Sequence, residues 1–275
     1  MALESLQHIR IAHSDRVAWA TIDHPPMNLW DAALTGDLIQ LITGFEADDD
    51  ARVLVLTSAD DEYFIAHADV GMIAQLPASE TAATDAPAPV NQLLERLRVM
   101  PKLSIALVRG IARGGGSEIA LACDLRYATP DARFAQPEVA VGIIPGAGGT
   151  QRLTRLVGRA RALEIVLGCA DVSGEEAEAI GYVNRVVSDD DVEDAVRSLA
   201  ARVARMPPHA VAAAKRAVDA AWPDPTPGLI VEGQAFDEAR HDPEAGRLMR
   251  RFLDVGGQTR DAELDDATTL FDRLA

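Results

Sequence analysis

Gly114-Gly115-Gly116-Ser117-Glu118 follows the apolar run Leu103 to Val108 and opens a helix-like segment, Ile119 to Cys123. Glycines let a backbone approach a ligand closely with its N–H groups turned outward, and the helix start that follows adds positive partial charge. Glu118 stands in the first helical turn, so an ionisable carboxylate lies beside backbone donors. That pairing suits proton transfer next to a polarised carbonyl. The stretch admits two readings: a built anion site with a proton-transfer group, or a glycine-rich turn carrying a solvated glutamate.

Outward from this stretch the chain reads as α/β. Ile9, Ile11, Val17, Trp19 and Thr21 alternate around Ser14-Asp15, which predicts an N-terminal hairpin ended by Pro25-Pro26. Asp31 is a good N-cap for the helically spaced Leu34, Leu38, Leu41, Ile42 and Phe45, and Asp48-Asp49-Asp50 closes that helix as a loop. Val53 to Thr57 and Leu103 to Val108 are short strand-like runs that each follow an amphipathic helix, which is parallel α/β organisation. Between them, Tyr63 to Gly71 reads as a turn and Leu76 to Pro89, rich in Ala, Pro, Ser and Thr, as a mobile surface loop before the helix of Val90, Leu93, Leu94 and Leu97.

Leu125 to Tyr127 predicts a further strand, and helices are expected at Leu153 to Val157, at Ala162 to Leu167, and around Val192, Val196, Leu199 and Val203 up to Pro207-Pro208. Beyond lies helix: His209 to Trp222, Leu229 to Leu253, and Ala262 to Leu274. The expected division is a core at residues 1–206 and a C-terminal helical region at 207–275. No internal repeat of fixed period is visible.

A chain of 275 residues that is 48% hydrophobic can bury a sizeable core, and its formal charge of −17 argues against non-specific nucleic-acid or anionic-membrane binding. Any anionic ligand must be met by local groups. Cys123 and Cys169 fit reduced core thiols, and no signal-like or membrane-spanning stretch appears, so a cytoplasmic protein is expected.

Spacing removes several chemistries. Gly146-Ala147-Gly148-Gly149-Thr150-Gln151 lacks the last glycine of the dinucleotide fingerprint and has no Lys-Ser/Thr of a P-loop. Ser117 lies outside a Gly-x-Ser-x-Gly elbow and reads as a helix-start residue. The six histidines show no paired metal-ligand spacing, so no metal is expected. Two carboxylates on glycine-rich turns remain, Glu118 and Glu138, the second behind Pro137. Such a pair can share a water, one accepting its proton while the other protonates a substrate carbon. Glycoside hydrolysis and metal binding also use paired carboxylates, but neither needs the adjacent anion-holding glycines.

Gly114 to Asp124, Phe134-Ala135-Gln136-Pro137-Glu138 and Gly142 to Leu153, in that order, closely resemble the crotonase superfamily, within it the enoyl-CoA hydratase/isomerase family and specifically its enoyl-CoA hydratases. The similarity runs from about Ile9 to Leu253. It implies a crotonase spiral of ββα units, with C-terminal helices used to assemble a homotrimer or a hexamer of paired trimers. It implies an acyl-CoA thioester as substrate and no separate cofactor, coenzyme A being part of that substrate. The thioester oxygen would be held by the N–H groups of Ala68 and Gly115, while Glu118 and Glu138 handle water and proton. Ala66, His67, Asp69, Val70 and Gly146 are the implied substrate-side positions. Gly146 is either a backbone position close to substrate or a plain turn glycine.

The resemblance breaks at one point. The first oxyanion segment of the family usually reads Ala-Gly-Ala-Asp, whereas this chain reads Ala66-His67-Ala68-Asp69. His67 either points away from the site or lines the acyl or thioester pocket. A lysine common just after this motif is replaced by Val70-Gly71, leaving Arg52, Lys102, Arg113 or a C-terminal basic residue as candidates to meet CoA phosphates. Hydration of a trans-2-enoyl-CoA is the leading expectation. The alternatives are an isomerase or hydrolase acting through the same enolate, and a crotonase-like scaffold without catalysis.

Overall fold

The computed structural model describes residues 6–76 and 85–274. Among the described residues, ten strands run in chain order as β1 (Ile9–Ser14), β2 (Val17–Ile22), β3 (Val53–Ser58), β4 (Tyr63–Ile65), β5 (Leu103–Val108), β6 (Ile111–Arg113), β7 (Leu125–Ala128), β8 (Arg133–Ala135), β9 (Val172–Ser173) and β10 (Arg185–Val186). They form a six-stranded sheet in the order β1-β2-β3-β5-β7-β10 and a four-stranded sheet in the order β4-β6-β8-β9. The hairpin β1–β2 and the pair β8–β9 are antiparallel; the other pairings are parallel.

Each of β3, β5 and β7 enters the large sheet, and the strand that follows it enters the small one. Helices return the chain for the next turn. The first five are α1 (Ala32–Ala47), α2 (Val70–Ala74), α3 (Pro89–Val99), α4 (Gly115–Ala122) and α5 (Gly149–Val157), followed by α6 (Arg159–Gly168), α7 (Gly174–Ile180) and α8 (Asp189–Ala204). The successive strand pairs are thus ββα units wound into a spiral, the fold class the resemblance implied. Asp31 caps α1 as its position suggested, accepting the Leu34 N–H at 2.9 Å.

Alternation along the strands splits the core into two layers. Val53, Val55, Ile105 and Leu107 face α8 and meet Val192, Val196 and Ala200, while Leu54, Leu56, Ala106 and Val108 face the small sheet and the α1, α3 and α4 side. Both faces of the large sheet are therefore covered, which is why β3 and β5 read as unbroken apolar runs.

The C-terminal helices are α9 (Pro208–Asp219), α10 (Thr226–His241), α11 (Pro243–Asp254), α12 (Arg260–Glu263) and α13 (Ala267–Asp272). Two expectations are corrected here. Leu229 to Leu253 is two helices, because Pro243 holds Asp242 extended (φ −64°, ψ 130°) and Asp242 caps the second by accepting the Glu244 N–H at 2.8 Å. Ala262 to Leu274 is likewise two short helices, Asp266 capping the second. Met249, Phe252, Leu270 and Leu274 pack on Val70, Val141 and Ile143, so this region covers part of the spiral.

Tyr63 to Gly71 is also corrected: it contains strand β4 and the start of α2 rather than a turn. Within the expected loop from Leu76 to Pro89, residues 77–84 lie outside the described residues, and Pro89 already begins α3. Cys123 and Cys169 are buried free thiols at helix ends.

Candidate active site

Three adjacent parallel strands of the small sheet, β4, β6 and β8, end side by side. The Arg113 N–H donates to Ala66 O at 3.1 Å, and the Gly114 N–H to Ala135 O at 2.9 Å. The segments leaving these ends carry Ala66 to Asp69, Gly114 to Glu118, and Gln136 to Glu138. Loops beyond the C-terminal ends of neighbouring parallel strands converge on one volume. Here that volume is a cavity of about 740 Å³ bordered by His67, Ala68, Gly114, Gly115, Glu118 and Glu138. Its other walls are mostly apolar: Trp30, Ile39 and Leu93 from the spiral, Phe236, Phe252 and Phe271 from the C-terminal helices.

The glycines serve packing as much as access. A Cβ on Gly116 would lie 2.1 Å from Ile65 O, so α4 starts directly against β4. A Cβ on Gly115 would lie 3.2 Å from the Ala68 nitrogen and 2.6 Å from the Trp30 ring, which shows how closely the two loops approach. Among the described residues, the Ala68 and Gly115 N–H groups donate to no protein acceptor. They are two spare donors on the cavity wall.

Glu118 is 3% exposed. Its Oε1 accepts the N–H groups of Ala147 at 2.7 Å and Gly149 at 2.8 Å. Among the described residues its Oε2 accepts nothing. Burial, and then the charge of Glu232, push Glu118 up to about 7. Glu138 opens a single 3-10 turn, Glu138–Val141. Its Oε2 is buried and has no partner. Burial, then the charge of Glu118, raise Glu138 well above the ordinary carboxylate range.

Glu232 is a third buried carboxylate, 2% exposed, which no sequence motif flagged. It reaches in from α10 and grips the same turn as Glu118 through the alternate donors: Gly148 N–H to Oε1 at 2.7 Å, Thr150 N–H to Oε2 at 3.1 Å, and the Thr150 hydroxyl. Asn91 of α3 donates to Gly146 O at 3.0 Å and to Glu232 at 3.3 Å. The start of α5 is thereby held by two acids, which the unsatisfied N–H groups of a helix start favour. Burial raises Glu232. Its one sequence signal is the spacing Leu229–Glu232, the two residues that make the buried stripe of α10.

The remaining implied positions divide. His67, Val70 and Gly146 border the cavity, Gly146 with Phe236 laid over it so that a Cβ would be 2.8 Å from the ring. Ala66 and Asp69 stand behind the wall. Ala66 is buried beside Met27 and Tyr63, and Asp69 caps α2 through the Met72 N–H at 3.2 Å. Ser117 is a buried helix-start residue, bonded to the Tyr182 hydroxyl and to Gln136 at 3.0 Å. Arg113 drops out as a phosphate contact, because it is 1% exposed and fully engaged with Asp171, Glu263 and Asp265. Lys102 is tied to the Phe45 and Asp48 carbonyls at 2.6 Å each.

Over residues 12–253 the sequence matches the enoyl-CoA hydratase/isomerase family. It is 32% identical to the short-chain-enoyl-CoA hydratase of Clostridium acetobutylicum, across 90% of this chain and 95% of that one. With the crotonyl-CoA hydratase of Syntrophomonas wolfei it shares 33%, across 84% and 88%. A crystal structure from Streptomyces avermitilis superposes with a TM-score of 0.89 at 33% identity, covering 98% of this chain and 99% of that one. Spiral, motifs and relatives agree, and the chain belongs to the enoyl-CoA hydratase/isomerase family of the crotonase superfamily.

Proposed function

We propose that the protein is an enoyl-CoA hydratase that adds water across the 2,3 double bond of a trans-2-enoyl-CoA to give a 3-hydroxyacyl-CoA. The observation that carries this reading is the pair of cavity-facing carboxylates, Glu118 buried with two N–H partners and half-buried Glu138 with a buried, unpartnered Oε2, beside two unbonded backbone donors. The thioester oxygen accepts from the Ala68 and Gly115 N–H groups. As water bonds to the β-carbon, electron density moves onto that oxygen, and fixed donors stabilise this state more than the ground state.

Glu118, whose anionic form is supported by two N–H groups, takes the proton from water. Glu138, raised by burial and the Glu118 charge and met only by its own backbone N–H, delivers its proton to the α-carbon. Proton return from Glu118 to Glu138 restores the starting state. Coenzyme A is part of the substrate, and no separate cofactor enters these steps. The acyl chain occupies the apolar part of the cavity, between Trp30, Leu93 and Phe236. We assign the working form as a homotrimer or a pair of trimers, as the family resemblance implies.

Loss of the conjugated enoyl absorbance on adding purified protein to crotonyl-CoA, extended to longer and branched enoyl-CoA esters, tests the reading. The expected result is turnover of at least one ester to its 3-hydroxyacyl product. Ester binding without hydration would move the activity to an isomerase or hydrolase using the same oxyanion site. Neither turnover nor binding would leave a scaffold.

A further inference from the structure

His67 stands where the sequence departs from the family pattern, and it is neither solvated nor turned away. It is 7% exposed, borders the cavity, and both ring nitrogens are engaged. Nδ1 lies 2.7 Å from Ala68 O, and Nε2 lies 2.9 Å from Glu263 Oε1 on α12. A peptide oxygen can only accept. An ionised carboxylate can only accept as well. Glu263 is 1% exposed and takes further hydrogen bonds from the Gln258 N–H at 3.0 Å and from Arg113 Nη1 at 3.4 Å, a donor set suited to the anion. A ring between two acceptors must carry a proton on each nitrogen.

The polar groups around Ala68 are accounted for one by one. His67 O accepts the Trp30 N–H at 2.9 Å, the Asp69 N–H donates to Trp30 O at 3.1 Å, and the Val70 N–H donates to Gln258 Oε1 at 2.6 Å. Ala68 O is held by the imidazole. The Ala68 N–H is the donor left over, next to Gly115. Arg113, the residue preceding the glycine run, donates to the Glu263 carbonyl at 2.9 Å and pairs with Asp171 at 2.6 Å. One buried chain, Ala68 O–His67–Glu263–Arg113–Asp171, therefore joins both loops that carry the spare donors.

We propose that His67 is a doubly protonated positioning residue of the oxyanion site, clamped by Glu263 of the C-terminal region, which fixes Ala68 and places a positive charge beside the developing thioester oxyanion. This deepens the hydratase reading and rests on it. A fixed cation near an oxygen that becomes anionic stabilises the transition state more than bound substrate, so its loss falls on kcat. The charged groups facing the ring are Glu263 on α12 and Arg113 on β6, with Glu138 of the 3-10 turn across Gly114; Phe252 of α11 meets it edge-on at 5.8 Å and is neutral. Burial acts to lower the histidine's affinity for its second proton, but the Glu263 charge and hydrogen bond outweigh it and the net direction is upward. Burial likewise acts to raise Glu263, and His67 overrides it, leaving Glu263 below its usual range.

Ring ¹⁵N shifts of His67 followed against pH in the intact protein, together with hydration kinetics of Glu263→Gln and His67→Gln, test this. The expected ring is imidazolium at pH 7 in the wild type and neutral in Glu263→Gln. Both variants should lower kcat by about tenfold or more with KM changed less than about threefold. A neutral His67 ring in the wild type at pH 7 overturns the proposal, as does a folded His67→Gln with unchanged kcat. Should Glu263→Gln fail to fold, the wild-type titration and His67→Gln decide the matter. A wild type that turns over no enoyl-CoA overturns the hydratase reading, while the ring titration reports separately on the clamp.

Discussion

Glu118 and Glu138 share one cavity but not one environment. Glu118 is met by two backbone N–H groups from the turn before α5, whereas the buried oxygen of Glu138 meets no donor. Both are raised by burial, but two N–H groups from another turn pull Glu118 back toward the anion, where Glu138 has only its own backbone N–H. What faces two chemically identical side chains thus differs, and the proposed mechanism uses that difference to hold a base and an acid at the same pH.

The largest expected effect comes from erasing either side of that contrast. Glu118→Gln and Glu138→Gln should each reduce kcat for hydration by about a thousandfold or more, measured with the enoyl-CoA turned over best, while circular dichroism stays native. Glutamine at 118 can still accept from Ala147 and Gly149, so the turn keeps its shape. Near-full activity in either variant would end the two-carboxylate mechanism.

Stability provides a smaller, independent measure. A carboxyl raised in the folded state binds protons there more tightly than in the unfolded chain, so its stability contribution is full below the unfolded value and is lost as pH rises toward the folded one. For Glu118 that window runs from its ordinary 4.5 to about 7. Glu118→Gln should therefore be more stable than wild type at pH 8 by about 3 kcal/mol, and the gap should close by pH 4. Glu138→Gln should gain more than Glu118→Gln, because one backbone N–H offsets the burial of Glu138 where two offset that of Glu118. Equal gains in urea unfolding at pH 8 would erase the contrast.

The smallest effect is a shift in a pH profile. The proposed mechanism uses Glu118 ionised and Glu138 protonated, so kcat should fall on both sides of an optimum, with an acid limb near pH 7. Glu232→Gln removes a neighbouring negative charge that holds Glu118 up, so this limb should move to lower pH. An unmoved limb in a folded variant would show that Glu232 acts only by holding the α5 turn.

Much of this was legible before any coordinates. The hairpin, the Asp31 cap and the apolar runs of β3 and β5 announce themselves by period and by capping chemistry, and both glutamates stand out beside glycines. The strands β4, β6 and β8 do not, since three residues show no alternation, yet their aligned ends bring Ala68, Gly115 and Glu138 together. The helix break at Asp242-Pro243 was written in the sequence, although the apolar spacing on either side runs across it. The partners of His67 were out of reach for another reason: Glu263 is separated from it by 196 positions, and no local pattern encodes a contact that long.

That separation also sets an order in time. Ala68, Gly115, Glu118 and Glu138 are translated well before Glu232, Phe236, Phe252 and Glu263, which supply the grip on α5, two aromatic walls and the partner of His67. A nascent chain that has left the ribosome only as far as α8 holds the proposed acid–base pair without these groups. The proposed chemistry must therefore wait for the helices that come after the spiral.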